Sequence, residues 1–443
     1  MFANLPLIEP EIDNHIAGLR YNEALANIMV GVHGHHKLET VARNFLYYPK
    51  LDQQMQTLSE VIFHEQFEQP APTPTENTLI VASEIYQVGG HSRVIADLVK
   101  EVPSPTLVLT DMYWRFRNTP DYLNWVLDAF AAMPVIVLPQ RTLWAKCQAL
   151  GQLTRRLNPK NIFYVNHHED PIPFVGTLGH VQSNKTLIHH CDHNPSLGST
   201  LEQVAHVDFV EEMAHVCSTH LHRPAWVLPL FVPDGGLKSF RPIENNNFSA
   251  VTCGTHVKYI RTGPMALQCI VASVLESLDG QFFHIGELGA DWIAEIRVHL
   301  QNRGIAPERF VALGNVTSLW ETLLHLDAHV YIGSAPIGGG RAAIEAQGCG
   351  YPVLFYRVND QGPAIGSNSL YASKSLEWSD TSALPRLLKE VVPQHASFSA
   401  LARTFYVEKF SQQEFARVVR EVCASRDNAE GHTSQTGDTT CSP

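Results

Sequence analysis

The 443-residue sequence contains no CxxC pair; its eight cysteines are scattered singly, which is the pattern of a chain kept reduced in the cytoplasm. No apolar run approaches the roughly 18 residues a membrane-spanning helix needs. The first residues, MFANLPLIEPEIDN, carry neither a basic stretch nor an apolar one, so no signal peptide is expected. Positive charge is in deficit, with 32 Lys and Arg against 44 Asp and Glu and a net charge of −12. That balance excludes a general nucleic-acid binder and leaves room only for a local basic cleft. There is no Walker loop, no GxGxxG dinucleotide fingerprint, no HExxH and no short repeat. Present instead are 44% apolar residues, enough for a substantial core, a length that suits two domains, and 23 histidines.

Along the chain, residues 1–70 read as helical, either an accessory layer or an interaction surface through which copies of the chain could associate. Gln69–Asn77 is a proline-rich linker. Strands are then expected at Thr78–Ser83, Thr106–Asp111, Pro134–Leu138, Asn161–Asn166, Thr186–His190 and Ala214–Ser218, with helices at Val94–Val99, Tyr122–Met133 and Thr142–Leu157. This alternation predicts a parallel, doubly wound sheet, with ligands at the carboxyl ends of its strands. Gly89, Gly90 and His91, then His167–Asp170, then His189–His193, all fall at those ends. Leu228–Asn247, rich in Pro, Gly and Asn, reads as a hinge. A second series follows, with strands at Phe248–Gly254, Gln281–Ile285 and Phe310–Leu313 and helices at Pro264–Leu278, Asp291–Arg303 and Leu319–Leu326. Leu384–Val392 and Ser397–Ala424 close the chain as helices, and residues 425–443 read as a disordered tail.

The densest signal is His329–Tyr356, HVYIGSAPIGGGRAAIEAQGCGYPVLFY. It reads as strand, glycine turn, helix, strand. Gly338, Gly339 and Gly340 permit positive φ and close approach of a ligand to bare backbone. A helix N-terminus behind them offers free N–H groups and a positive dipole end, which suits a phosphate. Arg341 adds a charge, and Glu345, one turn further, could reach a sugar hydroxyl. The simplest alternative is a tight βαβ turn with no ligand.

Two Rossmann-like halves, a hinge, an early glycine turn and a late GGG-helix-Glu together resemble a GT-B glycosyltransferase over about residues 78–424. The expected organisation is α/β, two Rossmann-like domains facing across a cleft: a helical extension at 1–70, an acceptor domain at 78–232, a donor domain at 245–395 and a helix at 397–424 packing back toward the first domain. The second half is similar to the group containing the O-linked N-acetylglucosaminyltransferases and the bacterial cytoplasmic N-glucosyltransferases, through VTCGTHVKY (Val251–Tyr259), FVALGNVTSLWETL (Phe310–Leu323) and PIGGGRAAIEAQGCGYP (Pro336–Pro352). The resemblance implies that Lys258, with Thr255 just upstream, meets the diphosphate of a nucleotide-sugar. It implies that Val316 and Thr317 border the base, that Gly339, Gly340, Arg341 and Ala342 cradle the phosphates, and that Glu345 binds the ribose; Gly338, in the same turn, is counted with the donor-binding residues. Arg341 and Ala342 stand where that group carries hydroxyl-bearing residues. The first half also resembles bacterial glycosyltransferases with a Gly-Gly-His-Ser/Thr-Arg turn and a His-x-Asp-His segment followed by Leu-Gly, here GGHSR (Gly89–Arg93) and HHCDHNPSLG (His189–Gly198).

Glycosyl transfer requires that the leaving diphosphate be neutralised and that the acceptor lose a proton. Lys258, Arg341 and a helix N-terminus can do the first without a metal, and no metal ligand or cofactor is assigned. A His or carboxylate can do the second. The candidates are His91, His168, Asp170, His190, Asp192 and His193, with Asp192–His193 preferred as a base and its orienter. The expected reaction is metal-independent transfer from a UDP-sugar to a saccharide, lipid-linked or polypeptide acceptor, inverting by the resemblance alone. The alternatives are an epimerase or hydrolase of GT-B shape, a His/Asp metal hydrolase built on Ile188–His193, and a partner subunit that has lost its chemistry.

Overall fold

The computed structural model describes residues 5–36, 47–66, 73–87, 90–190, 195–241, 247–357 and 368–424. The chain divides into two units. The first comprises Met1–Leu228 and the residues from Ala416 on; the second is Pro229–Phe415.

Unit 1 begins with three helices, α1 (Leu5–Ala17), α2 (Tyr21–His36) and α3 (Pro49–Gln66). Then come β1 (Thr75–Ala82), α4 (Gly90–Glu101), β2 (Pro105–Leu109), α5 (Arg115–Asn118), α6 (Pro120–Ala129), β3 (Val135–Val137), α7 (Leu143–Leu157), β4 (Pro159–Val165), α8 (Ile172–Val175), β5 (Asn184–Ile188), β6 (Val204–Asp208), α9 (Glu211–Leu221) and β7 (Ala225–Val227). All pairings are parallel, in the order β3-β2-β1-β4-β5-β6-β7. Parallel strands covered on both faces need continuous apolar runs, and Leu79–Ala82 and Ile162–Val165 are buried throughout. The strand order reverses direction between β1 and β4, the switch point where ligands of such sheets bind.

Helices α2 and α3 share this core: Leu25, Ile28, Leu51, Met55, Leu58 and Ile62 cluster with Val81, Ile162, Tyr164 and Phe174. A buried carboxylate fixes the layer. Asp52 of α3 accepts the Gly198 N–H (2.6 Å), the Thr200 N–H (2.9 Å) and the Thr200 hydroxyl (2.6 Å). Gly198 has φ +84°, and a Cβ there would collide with the Phe174 ring. The Leu-Gly pair noted in the sequence thus has a structural cause: only glycine takes that turn beneath Phe174.

Unit 2 contains β8 (Ala250–Cys253), a 3-10 turn at His256–Lys258, α10 (Leu267–Leu275), β9 (Phe282–Ile285), α11 (Ala290–Asn302), β10 (Phe310–Gly314), α12 (Leu319–His325), β11 (Val330–Ile332), α13 (Gly340–Gly348), β12 (Val353–Tyr356), β13 (Glu377–Trp378), α14 (Leu384–Val391) and α15 (His395–Lys409). The chain then enters α16 (Gln412–Ala424), within which unit 2 ends. The sheet is again parallel, in the order β10-β9-β8-β11-β12-β13, reversing between β8 and β11.

Several local expectations are corrected. Ala214–Ser218 is not a strand but the middle of α9. Met213, Ala214 and Cys217 are its buried face, and Glu211 and Glu212 sit in its first turn, where the helix dipole favours acids. The strands there are β6 and β7, too short for alternation to reveal them. The linker's last residues already belong to β1, which starts at Thr75. The terminal stretch from 397 is two helices, broken at Phe410–Ser411. Of the segment read as a hinge, residues 229–241 are tied down. Lys238 Nζ donates to the carbonyls of Leu323, Leu324 and Leu326 at the end of α12, and Asp234 pairs with Arg403 at 2.5 Å.

Candidate functional site

In unit 2 the switch point is occupied by two loops. The loop after β8 carries Thr255, exposed, and the turn bearing Lys258. The loop after β11 carries Pro336 to Gly339 and leads into α13. The two loops pair: Tyr259 bridges Pro336, and Ile337 N–H reaches Lys258 O at 3.4 Å. Lys258 Nζ donates to Gly338 O at 3.0 Å. Burial lowers its pKa, and among the described residues no carboxylate pairs with it.

Helix α13 starts at Gly340 with Gly339 as N-cap, and no side chain caps it. The first bond closing the helix runs from Ala343 N–H to Gly339 O, 2.9 Å. The turn ahead of it, Gly340 to Ala342, presents N–H groups of the kind that bind anions. The three glycines do not take positive φ; that expectation is corrected. Their role is room. A Cβ on Gly339 would stand 3.3 Å from Lys258 Nζ, and one on Gly340 would stand 3.1 Å from Leu370 Cδ1. Arg341 donates through Nη1 to Phe231 O at 3.0 Å and lies 3.8 Å from Glu345 Oε1, so part of its charge is already engaged. Glu345 is half-buried one turn inside the helix, and its charge contributes to holding the neighbouring Cys253 thiol, raised mainly by burial, at about 11. Val316, half-buried, and Thr317, exposed, follow the end of β10, just before α12, which Ser318 caps by accepting the Glu321 N–H at 3.2 Å.

Sequence reasoning missed the floor of this site. Gly286, after β9, has φ +115°, and a Cβ there would collide with the Gly254 carbonyl. A Cβ on Gly254 would press at 3.1 Å on both Lys258 Cδ and the Tyr259 hydroxyl. Under the loop, Tyr259 meets Thr252 Oγ1 at 3.1 Å and packs on His284. A glycine directly after each strand was the available signal.

In unit 1 the switch point holds a wall of histidines. His91 opens α4, and its ring lies 4.6 Å from that of His190 and 6.0 Å from that of His167. His168 stacks on His190 at 5.1 Å. His91 Nε2 meets Val165 O and His190 Nε2 meets Asn166 O, each at 2.8 Å. Since carbonyls only accept, both rings donate through Nε2. Nδ1 of His91 is then an unprotonated acceptor, buried and without a partner. Burial pushes the His91 pKa down to about 4, and that of His190 well below its usual value.

Asp170 is already engaged by three donors. It is fully buried and accepts from Ser83 Oγ (2.6 Å), Thr110 Oγ1 (2.6 Å) and the Ile172 N–H (3.0 Å). Ser83 Oγ in turn accepts the His167 N–H at 2.9 Å, so Asp170 fixes the histidine loop onto β1. Tyr86, not foreseen, stacks on His167 and reaches its Nε2 at 2.9 Å. Asp192, His193 and Gly89 lie outside the described residues.

No protein-family model matches the sequence, and no curated protein matches it at a significant level. Solved structures do. The chain is similar to the lipopolysaccharide outer core galactosyltransferase WaaB, with a TM-score of 0.59 and 11% identity over 79% of this chain and 99% of that one. It is similar to Anabaena HepE in complex with UDP-glucose, with a TM-score of 0.52 and 14% identity over 79% and 99%. It is also similar to an O-GlcNAc transferase from Thermobaculum terrenum, with a TM-score of 0.51 and 14% identity over 96% and 84%. No helix among the described residues is long and apolar enough to cross a membrane. Two parallel sheets, each reversing its strand order once, are thus the GT-B fold that these glycosyltransferases share, and this chain has it.

Proposed function

We propose that the protein transfers a sugar from a UDP-sugar to a saccharide, lipid-linked or polypeptide acceptor, without a catalytic metal and with inversion at the anomeric carbon. The observation that carries this reading is Lys258. Its ammonium sits beside the uncapped N-terminus of α13, at the switch point of the unit 2 sheet, with a backbone carbonyl as its hydrogen-bond partner. A diphosphate there would supply the counter-charge that a half-buried ammonium needs, while the α13 N–H groups bind its oxygens. Glu345 would accept from ribose hydroxyls, and Val316 and Thr317 would border the base. In a single displacement the acceptor oxygen bonds to the anomeric carbon, the bond to the diphosphate breaks, and the acceptor proton passes to a base. Among the described residues, the lone pair on His91 Nδ1 suits that role; Asp192–His193 is the competing pair. The HepE complex with UDP-glucose supports UDP as the nucleotide.

The test is thermal unfolding against a panel of nucleotides and nucleotide-sugars. A donor at about 100 times its Kd adds about 2.7 kcal/mol of stability. UDP-sugars should stand out, and Lys258→Ala should lose the shift while remaining folded. A panel with no stabilising nucleotide-sugar would overturn the proposal. Release of free sugar or its epimer without any acceptor would replace transfer by hydrolysis or epimerisation.

A further inference from the structure

A second cluster begins at His189, next to His190 in the sequence and with its ring 5.9 Å from that of His168, and none of its members has a role in the transfer proposed above. His189 follows β5, His206 and Asp208 lie on β6, and Cys217 lies on α9. The fold brings them together by simple rules. Residues two apart on a strand share a face, so His206 and Asp208 point the same way. Ile188 pairs with Val207, which sets His189 beside Asp208 on the neighbouring strand. Cys217 is on the buried stripe of α9.

The four side chains are at most 1% exposed, and one donor atom from each lies within 4.8 Å of all the others. His189 Nδ1 is 3.1 Å from Asp208 Oδ1, His206 Nε2 is 3.5 Å from it, and Cys217 Sγ is 3.7 Å from it. A tetrahedral zinc with bonds of about 2.0–2.3 Å has ligand-to-ligand edges of roughly 3.3–3.8 Å. A purely hydrogen-bonded cluster would be poorly satisfied. Both ring nitrogens of His206 and Oδ2 of Asp208 are buried without a hydrogen-bond partner. Buried polar groups left in that state are costly.

We infer that His189, His206, Asp208 and Cys217 bind one structural zinc ion, which pins α9 to the end of β5 and to β6. One carboxylate and one thiolate balance the two positive charges, so the buried assembly is neutral; on binding, the thiol proton leaves to solvent. Four protein ligands and no solvent-facing position make the site closed, unlike a hydrolytic zinc centre, which keeps one position open. The sequence hides the set because its members come from three elements at spacings of 17, 2 and 9 residues, counted from their numbers. None of the familiar paired spacings occurs, and no metal ligand was therefore expected.

The test is metal analysis of the full chain together with cobalt substitution. The expected result is one zinc per chain, retained through dialysis. Refolding with Co²⁺ should give a tetrahedral d–d spectrum with a thiolate charge-transfer band. Cys217→Ser should lose that band, and His206→Asn should lower zinc content several-fold. Two outcomes would overturn the inference. In one, the wild-type chain carries no transition metal, gains no thermal stability from added Zn²⁺ and shows no thiolate band with Co²⁺. In the other, the variants fold and keep the full metal content. If either variant fails to fold, the wild-type cobalt spectrum still decides. None of these readings depends on a nucleotide-sugar, so they succeed or fail separately from the proposed transfer.

Discussion

The Nε2 atom of His91 lies 2.8 Å from the carbonyl oxygen of Val165, and that bond sets which nitrogen can accept a proton. A carbonyl cannot donate, so the ring hydrogen resides on Nε2 and the lone pair on Nδ1. If that lone pair takes the acceptor's proton, His91→Ala should lower kcat by roughly 10²–10⁴-fold while donor affinity stays within about twofold. The pH profile gives a sharper reading. The folded ring titrates at about 4 rather than 6.5, so it is already neutral at pH 5.5. The kcat/KM of the wild type should therefore show no ionisation of the base near pH 6.5. An acidic limb centred there, or an alanine variant with wild-type kcat, would pass the role to Asp192–His193.

Lys258 and Gly339 offer a paired test of the donor site. Gly339 has φ −111° and ψ 72°, on the negative-φ side that alanine can take, so Gly339→Ala should cost thermal stability no more than about 1 kcal/mol. Its new methyl group would stand 3.3 Å from Lys258 Nζ and crowd the ammonium. The expected result is donor affinity lower by about tenfold, of the order of 1.4 kcal/mol. Lys258→Ala should lose more, and Lys258→Arg should recover part. Gly286→Ala should behave oppositely, lowering stability first, because φ there is +115° and the Cβ would strike the Gly254 backbone. Titration calorimetry with UDP-sugars, alongside thermal unfolding of each variant, separates the cases. A Gly339→Ala protein with undiminished donor affinity would show that the lysine does not meet the phosphates.

What was legible in the sequence follows from the range of the interactions. The βα alternation of both sheets could be read because strands such as Leu79–Ala82 are buried on both faces and appear as apolar runs. The glycine-fronted helix and Lys258 could be read because they are contiguous motifs. Short edge strands such as Ala225–Val227 leave too few residues for a period, and β6 carries His206 and Asp208 inside the sheet, against the apolar pattern. The role of Asp170 was hidden because its partners, Ser83 and Thr110, lie just past the ends of β1 and β2, far from it in the sequence. The same holds for the zinc ligands. In each case the information lies in strand order, which local spacing does not encode.

Asp52 tests whether the N-terminal helices are integral to unit 1. Its carboxylate is buried, and burial raises its pKa to about 6 against the opposing effect of three hydrogen bonds. Asp52→Ala would strand the Gly198 and Thr200 N–H groups and the Thr200 hydroxyl away from water. At about 1–3 kcal/mol for each unsatisfied group, with partial relaxation, a loss of about 3 kcal/mol is expected. Urea unfolding at pH 7.5 measures it. A loss below about 0.5 kcal/mol would mean that the contact between α3 and the Gly198 turn is peripheral.

His284 gives a prediction whose sign is set by burial alone. It lies on β9, fully buried, with neither ring nitrogen hydrogen-bonded, and desolvation pushes its pKa from 6.5 to about 4. The Tyr259 ring lies 5.5 Å from it. Between those two pH values the unfolded chain binds a proton at this residue and the folded chain does not. Stability therefore falls as pH falls, by up to about 1.4 kcal/mol per pH unit from this residue, and by about 3 kcal/mol at the limit. Above pH 7 both states are neutral here and the contribution is flat. His284→Leu removes the term. The stability difference between variant and wild type should be constant from pH 7 to 8 and should move in the variant's favour from pH 6.5 down to 4.5. Chemical denaturation at four pH values reads it directly. Two parallel curves across that window would show that His284 binds a proton as readily in the folded protein as in the unfolded chain, and that this strand end is open to solvent.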